Sequence, residues 1–126
     1  MHASIYRPIP IYNTPGDWVA MMVYPYIYST VGEWIGWVTP RKDVYDVHGY
    51  HVGWMTDEPR ILKRRIQEGM LARRNPPATP ERIRPPATVP LPPMMAELPF
   101  EVIDVFDDDH VYLTTLDHGE HKEDMD

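Results

Sequence analysis

The sequence IYNTPGDWVA at residues 11–20 returns as IYSTVGEWIGW at 27–37 and as VYDVHGYHVGW at 44–54, and this repeat decides the fold. Each copy opens with a β-branched residue and a tyrosine, two residue types that favour strands. A short stretch and a glycine follow, and glycine reaches positive φ without strain. Each copy therefore predicts a β-hairpin that turns at its glycine.

Alternation of side chains along a strand predicts the faces of these hairpins. The apolar residues that follow each glycine are expected on one face: Val19, Ile35 and Val52, with Met21, Trp37 and Trp54. We expect Trp37 and Trp54 to lie in the core. Trp18 and Trp34 then fall on the opposite face, which is expected to be exposed. The small residue between the apolar slots points to the other face, and it predicts that something large passes close there.

A unit of 16 or 17 residues cannot bury its own apolar face, so several units must pack around a common centre. The three aligned copies therefore predict a pseudo-symmetric ring. With 126 residues, the chain has room for one small domain.

The repeat resembles the four-fold β-flower family, small bacterial proteins of unknown function. The resemblance covers about residues 4–64 and rests on three features: the Ile/Val-Tyr pairs at 11–12, 27–28 and 44–45, the Gly-x-x-Ile/Val-Gly-Trp runs at 32–37 and 49–54, and Arg60-Ile61-Leu62. The first copy departs from it, with Ala20-Met21 in place of Gly-Trp. The resemblance implies an all-β fold, a pseudo-four-fold arrangement of short β-hairpins, and implies no reaction.

Three complete hairpins leave the fourth position of such a ring open. Ile5-Tyr6 matches the opening of the repeat, although Pro8 and Pro10 exclude a central strand there. We expect Ile5-Tyr6 and Ile61-Leu62 to form the two halves of the fourth hairpin.

Beyond residue 64 the composition changes. Residues 65–74 are predicted to be a short basic helix or a linker. If helical, the segment is expected to span roughly residues 64–74. Nine prolines between residues 75 and 100 exclude helix and central strand, so residues 75–106 are predicted to be an extended Pro-rich strap. Within it, Glu101 to Phe106 is typical of a strand or an anchoring segment. Residues 107–126 form an acidic C-terminal tail.

The strap is too apolar to be a typical disordered tail, because an apolar segment gains free energy by leaving water. We therefore expect it to dock on a protein surface, either over the Trp18 and Trp34 face of the same chain or on another copy. The residues expected to dock are Leu91, Met94, Met95, Leu98, Phe100, Ile103 and Phe106.

Composition narrows the chemistry. The chain has no cysteine, a net charge of −7 and no recognisable signal or membrane segment, so we expect a cytoplasmic protein that does not enter membranes. Residues 60–84 hold eight Arg or Lys and two Glu, but the overall charge and the acidic tail argue against nucleic acid as a partner.

Metal sites have little support in the sequence. His48 and His51 flank the third glycine, but exposed turn histidines are commoner than ligands, so they are weak candidates for a metal. His110, His118 and His121 lie in the acidic tail, whose spacing matches no defined metal loop.

Two functions remain, and no catalytic frame or cofactor motif is present. The first is a non-catalytic interaction or assembly module whose strap docks on its own domain, a neighbouring copy or a partner complex. The alternative is a module that binds a sugar, base or peptide on exposed aromatic residues. The residues of that face are Trp18, Trp34, Tyr12, Tyr28 and Tyr45.

Overall fold

The computed structural model describes residues 7–66 and 71–116. Its eight regular elements are all β-strands, and they form one antiparallel sheet in which each strand pairs with the next along the chain. The strands are β1 (Ile9–Tyr12), β2 (Trp18–Val23), β3 (Tyr26–Tyr28), β4 (Trp34–Val38), β5 (Asp43–Asp46), β6 (His51–Met55), β7 (Ile61–Arg64) and β8 (Val102–Asp104). The predicted all-β fold is confirmed.

The strands pair as four petals, which we number 1 to 4: β1–β2, β3–β4, β5–β6 and β7–β8. The first strands of the petals place equivalent residues at the centre, and these residues are completely buried. They are Ile11, Ile27, Val44 and Ile61. Ile61 follows Val44 by 17 residues, the same spacing as between Ile27 and Val44, so Ile61 continues the repeat that the sequence shows three times. The buried centre therefore follows the pseudo-four-fold pattern.

Small residues let neighbouring petals approach one another. Gly36 pairs with Ile27, and a Cβ at Gly36 would stand 2.7 Å from the carbonyl oxygen of Tyr45 in petal 3. At Gly53 a Cβ would overlap the carbonyl oxygen of Leu62 in petal 4. The expected close passage is therefore the backbone of the next petal.

The turns of petals 1 to 3 share one five-residue design. The first side chain accepts a hydrogen bond from the amide of the fifth residue, which satisfies a donor that the turn leaves unpaired. These bonds join Asn13 to Asp17, Ser29 to Glu33 and Asp46 to Tyr50, at 2.7, 3.2 and 2.9 Å. The fourth residue is the glycine of each copy, and its φ is positive in all three turns. The predicted turn positions are thus confirmed.

Petal 4 is built differently from the prediction. Ile61-Leu62 supplies one half as expected, but its partner is β8, from residues 102–104, rather than Ile5-Tyr6. The latter pair lies outside the described residues. The Val105 amide also donates to the Ile61 carbonyl at 2.9 Å, and Val105 joins the apolar core. The fourth petal therefore takes its second strand from the end of the strap.

Polar contacts close the ring between petals 1 and 4. The Asp104 carboxylate accepts bonds from both the amide and the hydroxyl of Thr14, each at 2.6 Å. The Arg60 guanidinium donates to the same hydroxyl at 3.1 Å and to Glu58 at 3.0 Å. Since Asp104 and Arg60 are both buried, these bonds offset the cost of removing their charges from water.

The helix predicted over roughly residues 64–74 is wrong for the residues described there. Arg64 belongs to β7, and residues 71–74 have no regular structure. The Arg65 amide donates to the Glu101 carbonyl at 2.7 Å, so the chain continues from β7 in contact with the returning strap. Residues 67–70 lie outside the described part of the chain. In that described part, no helix is long and apolar enough to cross a membrane.

Candidate functional site

The strap circles the ring in the direction opposite to the strands. It first meets petal 3, where the amide of Arg74, just before the strap, donates to the Gly49 carbonyl at 2.9 Å. Nine residues later, the Ile83 amide donates to the Gly32 carbonyl of petal 2 at 3.0 Å. The carbonyl of the turn glycine thus accepts a hydrogen bond from the returning chain in both petal 3 and petal 2.

The circuit continues to petal 1 and returns to petal 4. The Tyr12 hydroxyl donates to the Pro90 carbonyl, and Pro92 lies beside Gly16, where a Cβ would be 3.3 Å from its ring. Pro92 has no amide hydrogen and cannot repeat the bond that Ile83 makes. Glu101 then meets the end of β7. From Arg74 to Glu101, the chain therefore contacts every petal in turn.

A repeat of nine residues underlies this path, and our sequence reasoning missed it. The tetrapeptide Pro-Pro-Ala-Thr occurs at 76–79 and again at 85–88, and Met-Met-Ala-Glu follows at 94–97. The contact residues Arg74, Ile83 and Pro92 have the same spacing. A self-comparison of the Pro-rich segment would have found this signal.

Burial along the strap has a period of three. Every third residue is half-buried: Pro77, Pro80, Ile83, Pro86, Val89, Pro92, Met95 and Leu98. A period of three is that of a polyproline II helix, whose side chains form three rows. One row faces the ring, and all its members are apolar. The presence of this row agrees with the expectation that the apolar residues of the strap make it dock on a protein surface.

The individual residues expected to dock divide into two groups. Met95, Leu98 and Ile103 are half-buried, and Phe106 packs against the central core. In contrast, Leu91, Met94 and Phe100 are 91%, 97% and 78% exposed. These three lie on the outward side of the strap. Leu91 and Met94 do not dock within one chain as expected, whereas the Arg65 guanidinium lies over the Phe100 ring, 4.2 Å from its centroid.

The exposed aromatic face predicted from the sequence does not exist in that form. Trp34 is only 6% exposed, and Tyr12, Tyr28 and Tyr45 are buried, while Trp18 is half-buried. The predicted exposure is therefore wrong. Ile83 of the strap and Leu116 pack against the aromatic cluster that contains Trp34. A cleft of about 310 Å³ remains between Trp34 and the covering chain near Pro80.

A bulge explains why the faces differ from prediction. Tyr28 lies opposite Trp34 and Ile27 opposite Gly36, so Ile35 is an extra residue in β4. An extra residue breaks alternation. Trp34 therefore joins the same cluster as Trp37, whereas Ile35 joins the central core. Ile35 and Trp37, which were expected on one face, belong to different clusters. Trp37 is buried as predicted; Trp54 is only half-buried.

His48 and His51, the weak candidates for a metal, differ in solvent exposure. His48 is exposed, whereas His51 is half-buried and its Nε2 lies 3.3 Å from the Asp43 carboxylate. Among residues 7–66 and 71–116, no group of three His, Asp or Glu side chains is placed to hold a metal ion. His118 and His121 fall outside those ranges.

Two tyrosines have shifted acidities. Burial raises the pKa of Tyr12 above its usual value. The Tyr112 hydroxyl donates to Asp108 at 2.6 Å, and this hydrogen bond raises the pKa of Tyr112 to about 12. The same bond lowers the pKa of Asp108, with a smaller contribution from the charge of Lys63.

Comparison with known proteins gives one match. The model of a family described as "4-fold beta flower protein" matches residues 3–101. The matched range extends beyond residue 64, where the sequence resemblance was placed, and takes in most of the strap. No curated protein and no solved structure matches the chain.

Proposed function

Because this chain belongs to the 4-fold beta flower family, its ring and strap are the parts to be explained, and we propose that it is a non-catalytic interaction module that assembles with a second copy of itself. The outward row of the strap, Leu91, Met94 and Phe100, forms the proposed contact. The inner row holds the strap on its own ring. We place this assembly in the cytoplasm, without cofactor, membrane or nucleic acid.

The observation that carries the proposal is the exposure of the outward row. Its three side chains are the most exposed large apolar residues described, and they lie on one strip because they are spaced by three and six residues. One polyproline II turn advances about 9 Å, which separates Leu91 from Met94. Phe100 follows in the turn that the Val102 amide closes on the Pro99 carbonyl at 3.1 Å. Apolar side chains that stand together in water mark interaction sites more often than scattered ones do.

Charge along the strap argues for another copy as the occupant. Arg82 and Arg84 outnumber Glu81 in the stretch before the strip, and Glu101 and Asp107 follow the strip. Two straps that pair antiparallel about the middle of the strip would place Leu91 of each copy beside Phe100 of the other. The basic residues before each strip would then lie toward the acidic residues after the other. Such pairing is self-complementary, as a two-fold interface requires. Ion pairs of this exposed kind set register and weaken as salt screens them.

Sedimentation equilibrium of the full chain tests the proposal. We expect a dimer whose population rises with protein concentration and falls with added salt. The variant Leu91→Ser/Met94→Ser/Phe100→Ser is expected to be monomeric with an unchanged circular dichroism spectrum. The matched control, Tyr24→Ser/Val31→Ser, removes two other exposed apolar residues and is expected to dimerise normally.

Two results would overturn it. One is a wild-type chain that stays monomeric at every concentration, which would leave a different protein as the partner of the strip. The other is a triple variant that dimerises as strongly as the wild type. The alternative function, ligand binding on the Trp18 and Trp34 face, loses its main support because that face is covered.

A further inference from the structure

Petals 2 and 3 differ at one equivalent position. Trp34 pairs with Tyr28 beside the bulge of petal 2, and Trp18 has the same place in petal 1. Both indoles donate to the carbonyl two residues later, at 2.7 Å. In petal 3 this place, opposite Tyr45, belongs to His51. An imidazole is smaller than an indole, so petal 3 fills less of the space beside it.

Petal 4 differs at a second equivalent position. Asn13, Ser29 and Asp46 follow the Ile/Val-Tyr pairs and close the five-residue turns. The residue at this place in petal 4 is Lys63, and the chain there leaves for the strap instead of turning. Lys63 therefore carries a positive charge where the other petals carry a turn-closing oxygen.

The two differences meet at one cleft. It measures about 680 Å³, is lined by His51, Val52, Lys63, Tyr112 and Thr114 among others, and lies between petals 3 and 4 under residues 110–114. Ligand pockets typically measure about 300–1,000 Å³. Its lining combines five polar or charged residues with the apolar surfaces of Val52, Val111 and Tyr112; the five are Asp46, His51, Lys63, His110 and Thr114.

Lys63 has donors to spare. It is only 6% exposed, and within the described residues its Nζ donates to the Arg64 carbonyl at 3.2 Å and lies 5.0 Å from the centre of the Tyr112 ring. An ammonium group has three N–H donors and no acceptor. A buried ammonium with one conventional acceptor is stabilised strongly by an anion that enters beside it.

The carboxylates near the cleft are already engaged. Asp46 accepts the amides of His48 and Tyr50, each at 2.9 Å. Asp43 lies against His51, and Asp108 accepts the Tyr112 hydroxyl. The charge of Lys63 contributes to the lowered pKa of Asp108, but among the ion pairs of the described residues none joins the Lys63 ammonium to a carboxylate.

We propose that the cleft between petals 3 and 4 binds a small organic oxyanion, with Lys63 as the charge partner and the walls around Val52 and Tyr112 holding its apolar part. The site is independent of the strip on the strap. It exists because petal 3 lacks the tryptophan and petal 4 lacks the turn of the other petals.

Nuclear magnetic resonance titration of the ¹⁵N-labelled full chain tests this site. Benzoate and phenyl phosphate are the two anionic probes, and benzyl alcohol is the neutral probe of similar size. We expect saturable shifts of the Lys63 and Thr114 amide signals with at least one anion and none with the alcohol. Comparison of the two anions shows whether the site prefers a carboxylate or a phosphate.

Two variants and a control complete the test. Lys63→Met removes the charge and keeps the length of the side chain, and should weaken anion binding at least tenfold. His51→Trp restores the indole that two other petals carry, so it should fold and should block the cleft. Lys42→Met removes an exposed lysine bound to Asp57 and should bind like the wild type.

The proposal fails if neither anion gives saturable shifts, if benzyl alcohol binds as tightly as the anions, or if His51→Trp binds like the wild type. Unchanged binding by a folded Lys63→Met variant would overturn it as well. Should Lys63→Met not fold, His51→Trp alone decides.

Discussion

The ring and the strap are both repetitive, but they are held by different interactions. Strands of the ring exchange hydrogen bonds along their length, and one central residue of each petal is fully buried. Between the ring and β8, the chain donates one backbone bond from Arg74 to Gly49 and one from Ile83 to Gly32, and it buries one row of side chains by half. The ring is thus the more stable part. The strap depends on the ring for its position, and this leaves its outer rows available to partners.

The largest expected effect comes from Trp34, which belongs to the ring and lies under the strap. Trp34→Ala removes a buried indole and the bond from its Nε1 to Gly36. We expect a loss of about 3–5 kcal/mol in the free energy of unfolding, measured by urea denaturation. Trp54→Ala, at a half-buried position, should cost clearly less. Equal losses would mean that the strap does not cover Trp34.

Two turn glycines separate the contribution of the strap from that of the turn. Gly32 and Gly16 both have positive φ, of 89° and 102°. Alanine at either position is strained by about 1–3 kcal/mol. At Gly32 the new Cβ would also overlap the Ile83 carbonyl, whereas at Gly16 it would meet only the edge of Pro92.

Gly32→Ala should therefore destabilise the protein more than Gly16→Ala, and should speed hydrogen exchange of the Ile83 amide. Identical losses in the two variants, with Ile83 exchange unchanged, would show that the strap does not bind the turn of petal 2.

The sequence predicts petals 1 to 3, whose two strands are joined by a short turn, better than petal 4, whose strands are far apart in the chain. Petals 1 to 3 are contiguous, so strand, turn and glycine follow one another in the chain and the repeat shows them directly. The second strand of petal 4 is only Val-Ile-Asp at 102–104 and is separated from β7 by the whole strap. Nothing local in those three residues specifies β7 as their partner, and Ile5-Tyr6, which matches the opening of the repeat, is the more obvious candidate.

The candidate sites show the same limit. Alternation predicts faces only while each strand advances one residue per pair, and the bulge at Ile35 breaks this rule and places Trp34 in the buried cluster. The inner row of the strap was readable in the sequence, since its apolar residues recur every three positions. The cleft at Lys63 was not, because it depends on which petals become neighbours.

Rows of the strap give the next contrast. Val89 is half-buried in the inner row, and Leu91 is almost fully exposed. Val89→Ser should lower the free energy of unfolding by about 1 kcal/mol, because it removes a half-buried apolar side chain whose burial stabilises the folded state. Leu91→Ser should change it by less than about 0.5 kcal/mol when measured at concentrations where the chain is monomeric. A larger loss for Leu91→Ser would reverse the assignment of rows.

The smallest expected effect concerns two tyrosines, one in the ring and one after the strap. Tyr112 has its pKa raised to about 12 by its hydrogen bond to Asp108, and Tyr12 has its pKa raised by burial. A raised pKa means that the folded state favours the neutral phenol. The Tyr112 contribution to stability is therefore complete below the ordinary tyrosine pKa of about 10 and is lost as the pH rises through about 12.

Asp108→Asn should return the pKa of Tyr112 toward its ordinary value and leave that of Tyr12 unchanged, because only Tyr112 depends on the carboxylate. In an ultraviolet titration of tyrosinate, one of the eight tyrosines should then ionise earlier than in the wild type. Asp107→Asn, which removes a neighbouring exposed charge, is the control and should titrate like the wild type. Superimposable curves for Asp108→Asn and the wild type would show that the bond between Tyr112 and Asp108 does not form in solution, and that residues 108–112 cover the cleft without it.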